Sequence, residues 1–320
     1  MNDPVPLLIV TGFLGAGKTT VLNRVLGAQH ARRIAVVVNE LGRIDIDTKL
    51  IKSRAGDVME LVGGCVCHEV RVQSELWAAV AEVVARSRPE IVILETTGIA
   101  EPWAILDGLD ALVPRAAPVS AAGVVCVVDA EVGARQLERH EEARAQAEAA
   151  DRILLSKLDL ASPAQLADVH RLLGQRNADA ERAGFPVTAD GTAALIPWLL
   201  DTEARSQRSG PRRHRHAERP HQHGQLVASV FSDPAPLLAE PLLQVCERLG
   251  EALVRAKGFV NLAGEARRGF LERAGAHTTL RHGEAWGEGE PRRTDLVLIG
   301  EGLDEAALRR QIWACRVSAA

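Results

Sequence analysis

The run Leu8-Ile-Val-Thr-Gly-Phe-Leu-Gly-Ala-Gly-Lys-Thr-Thr20 joins an apolar strand to a plausible helix through the pattern GxxxxGKT, Gly12 to Thr19. No other feature constrains the fold as much. A strand, a glycine-rich loop and a helix start in immediate succession form a phosphate cradle in α/β proteins. Gly12, Gly15 and Gly17, with Ala16 between the last two, let successive backbone N–H groups turn toward one anion. Lys18 reaches the terminal phosphates, the Thr19 hydroxyl is placed to ligate Mg2+, and Thr20 continues into the helix. The expected ligand is a nucleoside triphosphate.

The rest of the chain repeats the alternation that this beginning implies. Short Val/Ile/Leu runs fall at 7–11, 33–38, 90–95, 123–129 and 152–156, separated by Ala-, Leu-, Glu- and Arg-rich stretches at 18–28, 72–86, 132–150 and 163–174. Buried strands alternating with crossover helices predict an α/β P-loop NTPase domain with a mainly parallel sheet. Its ligand belongs beyond the carboxyl ends of the strands. At 205–225 the pattern collapses into a segment with six arginines, four histidines and no apolar periodicity, which reads as a linker. Beyond it, strands are expected at 226–231, 259–264 and 295–300 and helices at 237–253 and 304–315, a smaller α+β domain on an antiparallel sheet. The expected division is therefore 1–204, an Arg/His-rich linker at 205–225, and 226–320.

Composition sets the outer limits. With 320 residues, 47% of them hydrophobic, the chain can build two cores, and a net charge of -4 calls for neither nucleic acid nor a membrane surface. Five cysteines suit a reducing compartment rather than a disulfide framework. The apolar run from Val5 to Val10 is too short to span a bilayer and has no basic leader, so the expected location is the cytoplasm. The linker lacks interleaved aromatics and reads as a solvated tether rather than a nucleic-acid arm.

Three further motifs carry chemistry. Glu95-Thr96-Thr97-Gly98 ends the strand at 90–95. Beside a phosphate loop, Glu95 can hold Mg2+ and Gly98 can offer its N–H to the terminal phosphate, whereas alone such a Glu is an ordinary solvated strand end. Ser156-Lys157-Leu158-Asp159 matches [NST]KxD, in which the Asp carboxylate accepts from guanine N1–H and N2–H, groups adenine does not present. Ser156 stands where Asn is commoner. Gly64-Cys65-Val66-Cys67-His68 offers two thiolates and an imidazole, a donor set suited to Zn2+, with Glu40 as candidate fourth ligand. The other reading of that segment is a pair of small buried thiols beside a surface histidine. Cys126, Cys246 and Cys315 lie in apolar patterns and are assigned to core packing.

Taken in order, GFLGAGKTT, VVVNELGRIDID, GGCVCHEV, ETTGIAEP and SKLD resemble the CobW family of metal-linked GTPases, relatives of the urease and hydrogenase accessory GTPases. ALVRAKGFVNLAGEARRGFLE, WGEGEPRRTDLVLIG and LDEAALRRQIWAC are similar to that family's C-terminal domain, so the likeness covers nearly the whole chain. The resemblance implies GTP hydrolysis coupled to delivery of Zn2+ or Co2+ to a client metalloprotein. It assigns phosphate and Mg2+ binding to Gly12 through Thr19, a first switch to Asn39 through Asp47, a second to Glu95 through Gly98, and the base to Ser156, Lys157 and Asp159. The family's metal motif is usually GCxCC, and here His68 replaces the third thiolate. Dimerisation is left open. Two other readings of the same residues are a small-molecule kinase using ATP, which SKLD argues against, and a passive metal store without nucleotide control.

Overall fold

The computed structural model describes residues 3–28, 32–41, 58–63, 70–116, 119–186, 188–201, 226–274 and 277–317, with backbone alone at 39–41, 58–63, 70–75, 110–116 and 274. The chain divides into two compact units, Met1–Gln222 and His223–Ala320. Among the described residues no helix is long and apolar enough to cross a membrane.

In the first unit, β1 (Val5–Thr11), β2 (Ile34–Leu41), β3 (Val58–Gly63), β4 (Ile91–Glu95), β5 (Val119–Asp129), β6 (Arg152–Ser156) and β7 (Glu181–Gly184) form one sheet. Their order is β3-β2-β4-β1-β5-β6-β7, and every pairing is parallel. Such a sheet must be covered on both faces, which explains why its central strands are continuous apolar runs. Period-two alternation sorts their side chains. Leu7, Ile9, Val37, Val92 and Leu94 pack with Leu76, Trp77 and Val80 of α2 (Val70–Ser87) and with Ile105 and Leu109 of α3 (Pro102–Ala116). Leu8, Val10, Val36, Ile93 and Val127 pack on the opposite face with Val21, Leu22 and Val25 of α1 (Lys18–Gly27) and with Ile196 and Leu199 of α7 (Ala189–Leu199).

Among the described residues this unit also contains α4 (Gly133–Arg139), α5 (Glu141–Ala149) and α6 (Pro163–Arg176). The single helix expected over 132–150 is thus two. His140 takes an extended backbone, φ -109° and ψ 126°, and closes α4 while capping α5. Its ring stacks on Phe13 with centroids 4.4 Å apart, a tertiary contact that offsets the interrupted helical hydrogen bonding.

The second unit contains β8 (Leu226–Asp233), α8 (Ala239–Leu249), β9 (Leu253–Val260), β10 (Arg267–Ala274), β11 (His277–Ala285), β12 (Thr294–Glu301) and α9 (Glu305–Trp313). The antiparallel sheet order is β11-β10-β9-β12-β8. Phe231, Leu296, Leu298 and Leu271 bury one face against Leu242, Val245 and Cys246 of α8 and against Leu308 and Ile312 of α9. Two expectations shift here. The helix read at 237–253 ends at Leu249, because Gly250 at φ 52° turns the chain, and the strand read at 259–264 begins already at Leu253. The expected architecture, a parallel α/β domain followed by a smaller antiparallel α+β domain, is the one observed.

Candidate functional site

The loop from Gly12 to Gly17 leaves the carboxyl end of β1 between β4 and β5. Gly12 adopts φ 144°, and a Cβ there would lie 2.2 Å from the Val127 carbonyl oxygen of β5. Gly15 and Gly17 take φ 76° and 96°, the left-handed region that other residues enter at a cost. Gly17 caps α1 without a side chain, and the first turn of α1 holds no acidic residue. Its orphan N–H groups and dipole therefore favour an anion. Lys18 is buried, its Nζ donating to the Gly12 carbonyl at 2.7 Å and approaching that of Phe13 at 3.5 Å. A cation is thus held inside the loop, among the carbonyls that line it. Thr20 is exposed on α1.

Glu95 is the last residue of β4, next to β1 in the register Val10↔Glu95, and is 4% exposed. Its Oε1 accepts from the Thr19 hydroxyl at 3.0 Å, so the two residues expected to share Mg2+ are in direct contact. The following loop is pressed onto the phosphate loop. A Cβ on Gly98 would approach Leu14 Cδ2 to 2.5 Å and Leu14 Cα to 2.9 Å, which restricts the position to glycine. The Thr96 N–H donates to the Val10 carbonyl at 3.0 Å, and the Thr96 and Thr11 hydroxyls are 2.9 Å apart. From α5, Gln146 donates to the carbonyls of Gly98 at 3.2 Å and Ala100 at 3.0 Å. From α4, Gln136 reaches the Leu14 carbonyl at 3.5 Å. Gln136, His140 and Gln146 are supports that the sequence reading missed, because polar residues on or between two short helices carry no signal of facing inward.

Ser156 ends β6, buried, and its hydroxyl donates to the Ala16 carbonyl at 2.6 Å. The first residue of SKLD therefore braces the phosphate loop from behind. Lys157 has φ 54°, and its Nζ lies 2.6 Å from Asp129 Oδ2. Asp159 is exposed. Beside this loop, the Phe185 N–H donates to the Leu155 carbonyl at 2.7 Å, and Gly184 packs against Leu158. The Arg24 guanidinium of α1 donates to the Pro186 carbonyl and sits 5.1 Å from the Phe185 ring centre. Asp129 and the Phe185-Pro186 turn were not singled out in the sequence, since neither belongs to a recognisable motif.

Burial pushes the Cys126 thiol up to about 12 despite the opposing Lys18 charge, and the Cys246 thiol up to about 11, so both stay protonated as core residues. Cys315 is buried and raised likewise. Cys65, Cys67, His68 and Asp47 lie outside the described residues, as do the linker at 205–225 and the side chains of Asn39 and Glu40. Among the described residues no group of three or more His, Cys, Asp or Glu is placed to hold a metal ion. The backbone of Glu40 is described: it pairs with Val62 at the carboxyl end of β2, and Leu41 pairs with Gly63, the last residue of β3 before the cysteine motif.

Comparison with known proteins identifies the family. Residues 6–183 match the family model described as CobW/HypB/UreG, nucleotide-binding domain, and residues 226–316 match the Cobalamin synthesis protein cobW C-terminal domain. The chain is 30% identical to a protein named zinc chaperone CobW from Pseudomonas aeruginosa, over 96% of this chain and 90% of that one. It is 29% identical to the zinc chaperone YjiA of Escherichia coli, over 96% of this chain and 97% of that one. Over 63% of this chain and 50% of the relative it is 32% identical to the zinc-regulated GTPase metalloprotein activator 1 of Schizosaccharomyces pombe. With one family model covering more than half its length and a second covering its carboxyl-terminal unit, the chain belongs to the CobW family.

Proposed function

We propose that this protein binds and hydrolyses GTP and couples that cycle to carrying Zn2+ to a client metalloprotein. The observation that carries the reading is the shared edge of the sheet. The phosphate loop follows β1, Glu95 ends β4, Glu40 stands at the end of β2, and β3 runs directly into the Gly64 to His68 motif, all at the carboxyl ends of neighbouring strands.

In this reading the N–H groups of Gly12 through Lys18 and the Lys18 ammonium cradle the phosphates of GTP. The contact between Thr19 and Glu95 is a donor pair of the hard-oxygen type that suits Mg2+, which would be held there and would neutralise phosphate charge. Gly98, pinned by Leu14 and Gln146, presents its backbone to the terminal phosphate. Asp159 accepts from the guanine edge, with Ser156 and Lys157 holding the loop. The chemical step is attack of water on the terminal phosphorus, giving GDP and phosphate.

Zn2+ is cargo, taken by Cys65, Cys67, His68 and Glu40, and Co2+ meets the same donors with similar geometry. The segment from Asn39 to Cys67 joins the nucleotide side to the metal motif, so nucleotide state and metal affinity are linked. Linkage is reciprocal: whatever factor GTP adds to zinc affinity, zinc adds to GTP affinity. Thiolate ligands work best in a reducing compartment, which supports a cytoplasmic location.

The test is zinc affinity, by competition with a calibrated chelator, in the presence of GDP and of a non-hydrolysable GTP analogue. The wild-type protein binds zinc more tightly with the GTP analogue. Cys65→Ala with Cys67→Ala abolishes that dependence while GTP binding in zinc-free buffer stays intact. Equal zinc affinity in both nucleotide states, or unchanged coupling in the double variant, refutes the reading.

A further inference from the structure

We propose that Asp129 is a positioning residue for purine recognition, a clamp that fixes Lys157 and thereby sets the pose of Asp159. The proposal rests on the reading of Ser156 to Asp159 as the base loop. Asp129 ends β5 in register with Ser156 of β6 and is 1% exposed. Its two carboxylate oxygens do different things. Oδ1 accepts the N–H groups of Glu131 at 2.8 Å and Val132 at 3.3 Å, shaping the turn that enters α4. Oδ2 holds Lys157 Nζ at 2.6 Å. The Ala130 N–H donates to the Ser156 carbonyl at 2.9 Å, so the two strand ends are stitched beside the ion pair.

Lys157 needs such a clamp. Its φ of 54° is one of two positive values among the described non-glycine residues, and a lysine in that region is held against its own preference. The Leu160 N–H closes the turn on the Lys157 carbonyl at 3.1 Å, which leaves Asp159 exposed between them. Released from Asp129, Lys157 is free to relax out of the left-handed conformation, and the direction of Asp159 goes with it. The same carboxylate touches the turn into α4, whose Gln136 and following His140 contact Leu14 and Phe13 of the phosphate loop. Base recognition and the back of the phosphate cradle thus meet at one buried residue.

The split between the two oxygens supplies a selective perturbation. Asp129→Asn keeps a carbonyl oxygen to cap Glu131 and Val132 but sets an amide N–H2, a donor, against the Lys157 ammonium, also a donor. The cap survives and the clamp is lost. In full-length protein, titrated with GDP and with ADP, Asp129→Asn is expected to weaken GDP by about tenfold or more, the range for a lost charge-assisted contact. ADP affinity stays within about twofold, because ADP lacks the guanine edge. Lys157→Met removes the clamp from the other side and shows the same pattern, and the double variant is no weaker for GDP than Lys157→Met alone. An Asp129→Asn protein with unchanged GDP affinity, or one losing GDP and ADP equally, overturns the proposal, as do additive losses in the double variant. Should Asp129→Asn fail to fold, Lys157→Met carries the GDP-to-ADP comparison by itself. Asp159→Asn separates the two levels. If it leaves the GDP preference intact, the base-loop reading is wrong; if it abolishes the preference while Asp129→Asn does not, the positioning role alone is wrong.

Discussion

Replacing Gly12 by alanine adds a single methyl group where the structure has no room for it. The new Cβ would lie 2.2 Å from the Val127 carbonyl oxygen and 3.1 Å from that residue's C and N atoms. The shortest of these is more than 1 Å inside the ~3.5 Å at which such atoms sit comfortably. Val127 cannot retreat, because β5 is paired with β1 through Thr11↔Cys126 on one side and with β6 through Val127↔Leu154 on the other. The obstacle is backbone in the middle of a sheet, not the far end of a flexible side chain. Overpacking of this kind costs about 1–3 kcal/mol. Forcing a side chain into a φ of 144° adds about 1–3 kcal/mol more. The total of about 2–6 kcal/mol is a large share of the 5–15 kcal/mol by which a typical domain is stable.

If the loop instead shifts to relieve the clash, the 2.7 Å contact between Lys18 Nζ and the Gly12 carbonyl is the first casualty, and the cost appears as lost nucleotide affinity. Urea denaturation and GDP titration together capture both outcomes. The control is Gly27→Ala, the same added methyl at the last residue of α1, where a Cβ meets nothing within 4 Å. There alanine is expected to be neutral or to stabilise by about 0.5–1 kcal/mol. A Gly12→Ala protein within about 0.5 kcal/mol of wild type that also binds GDP normally would refute the account of why glycine stands there.

Lys18→Ala removes the buried ammonium from the loop and is expected to lower GTP hydrolysis by about a hundredfold or more, read as phosphate release; activity that survives it points to a contaminating nucleotidase. In the second unit, burial disfavours ionised Asp233, yet hydrogen bonds from Arg316, the Ala235 N–H and Trp313, with the Arg316 charge, together hold its carboxyl below the ordinary 3.8. A depressed carboxyl stabilises the fold above its unfolded pKa and loses that contribution as pH falls through the folded one. Asp233→Asn should therefore lower the urea midpoint at neutral pH and flatten its decline under acid, and parallel acid limbs for the two proteins would refute the assignment.

What could be read from residues alone follows burial. β1, β4, β5 and β6 are apolar runs because both their faces are covered, and each was located within a few residues, although β5 begins earlier, at Val119. β7, with the sequence ERAG, lies at the sheet edge with no fully buried residue, so its composition resembles a turn. β10 and β11 escaped notice for a similar reason: RRGFLERA and HTTLRHGEA carry charge on alternating and adjacent positions, and only pairing reveals them as strands. The break at His140 depends on Phe13, more than a hundred residues away, which no local pattern contains. At the candidate site, Lys18, Thr19, Glu95 and Asp159 were legible because each belongs to a short motif of fixed spacing. Gln136 and Gln146, which brace the Leu14 and Gly98 carbonyls, and Asp129, which holds Lys157, are joined to these motifs only by the fold.

The sheet order also limits how nucleotide and metal can communicate. From β1 to β3 the sequence of neighbours is β1, β4, β2, β3, three strand spacings, or about 14 Å at ~4.8 Å each. The phosphate loop is thus about 14 Å from the entrance to the cysteine motif and, two spacings away, about 10 Å from Glu40 on β2, at or beyond the Debye length of about 8–10 Å at physiological ionic strength. Direct attraction or repulsion between phosphate charge and metal charge is largely screened over that span wherever solvent intervenes. Coupling that depended on charge would fade as salt is raised. Coupling carried by rearrangement of the chain between Asn39 and Cys67 would not, because it is set by differential contacts in the two nucleotide states. The ratio of zinc affinities with GTP analogue and with GDP, measured at about 50 mM and about 500 mM salt, is therefore expected to stay constant within about twofold while each absolute affinity drifts. A ratio that collapses toward one at high salt would replace the conformational account with an electrostatic one.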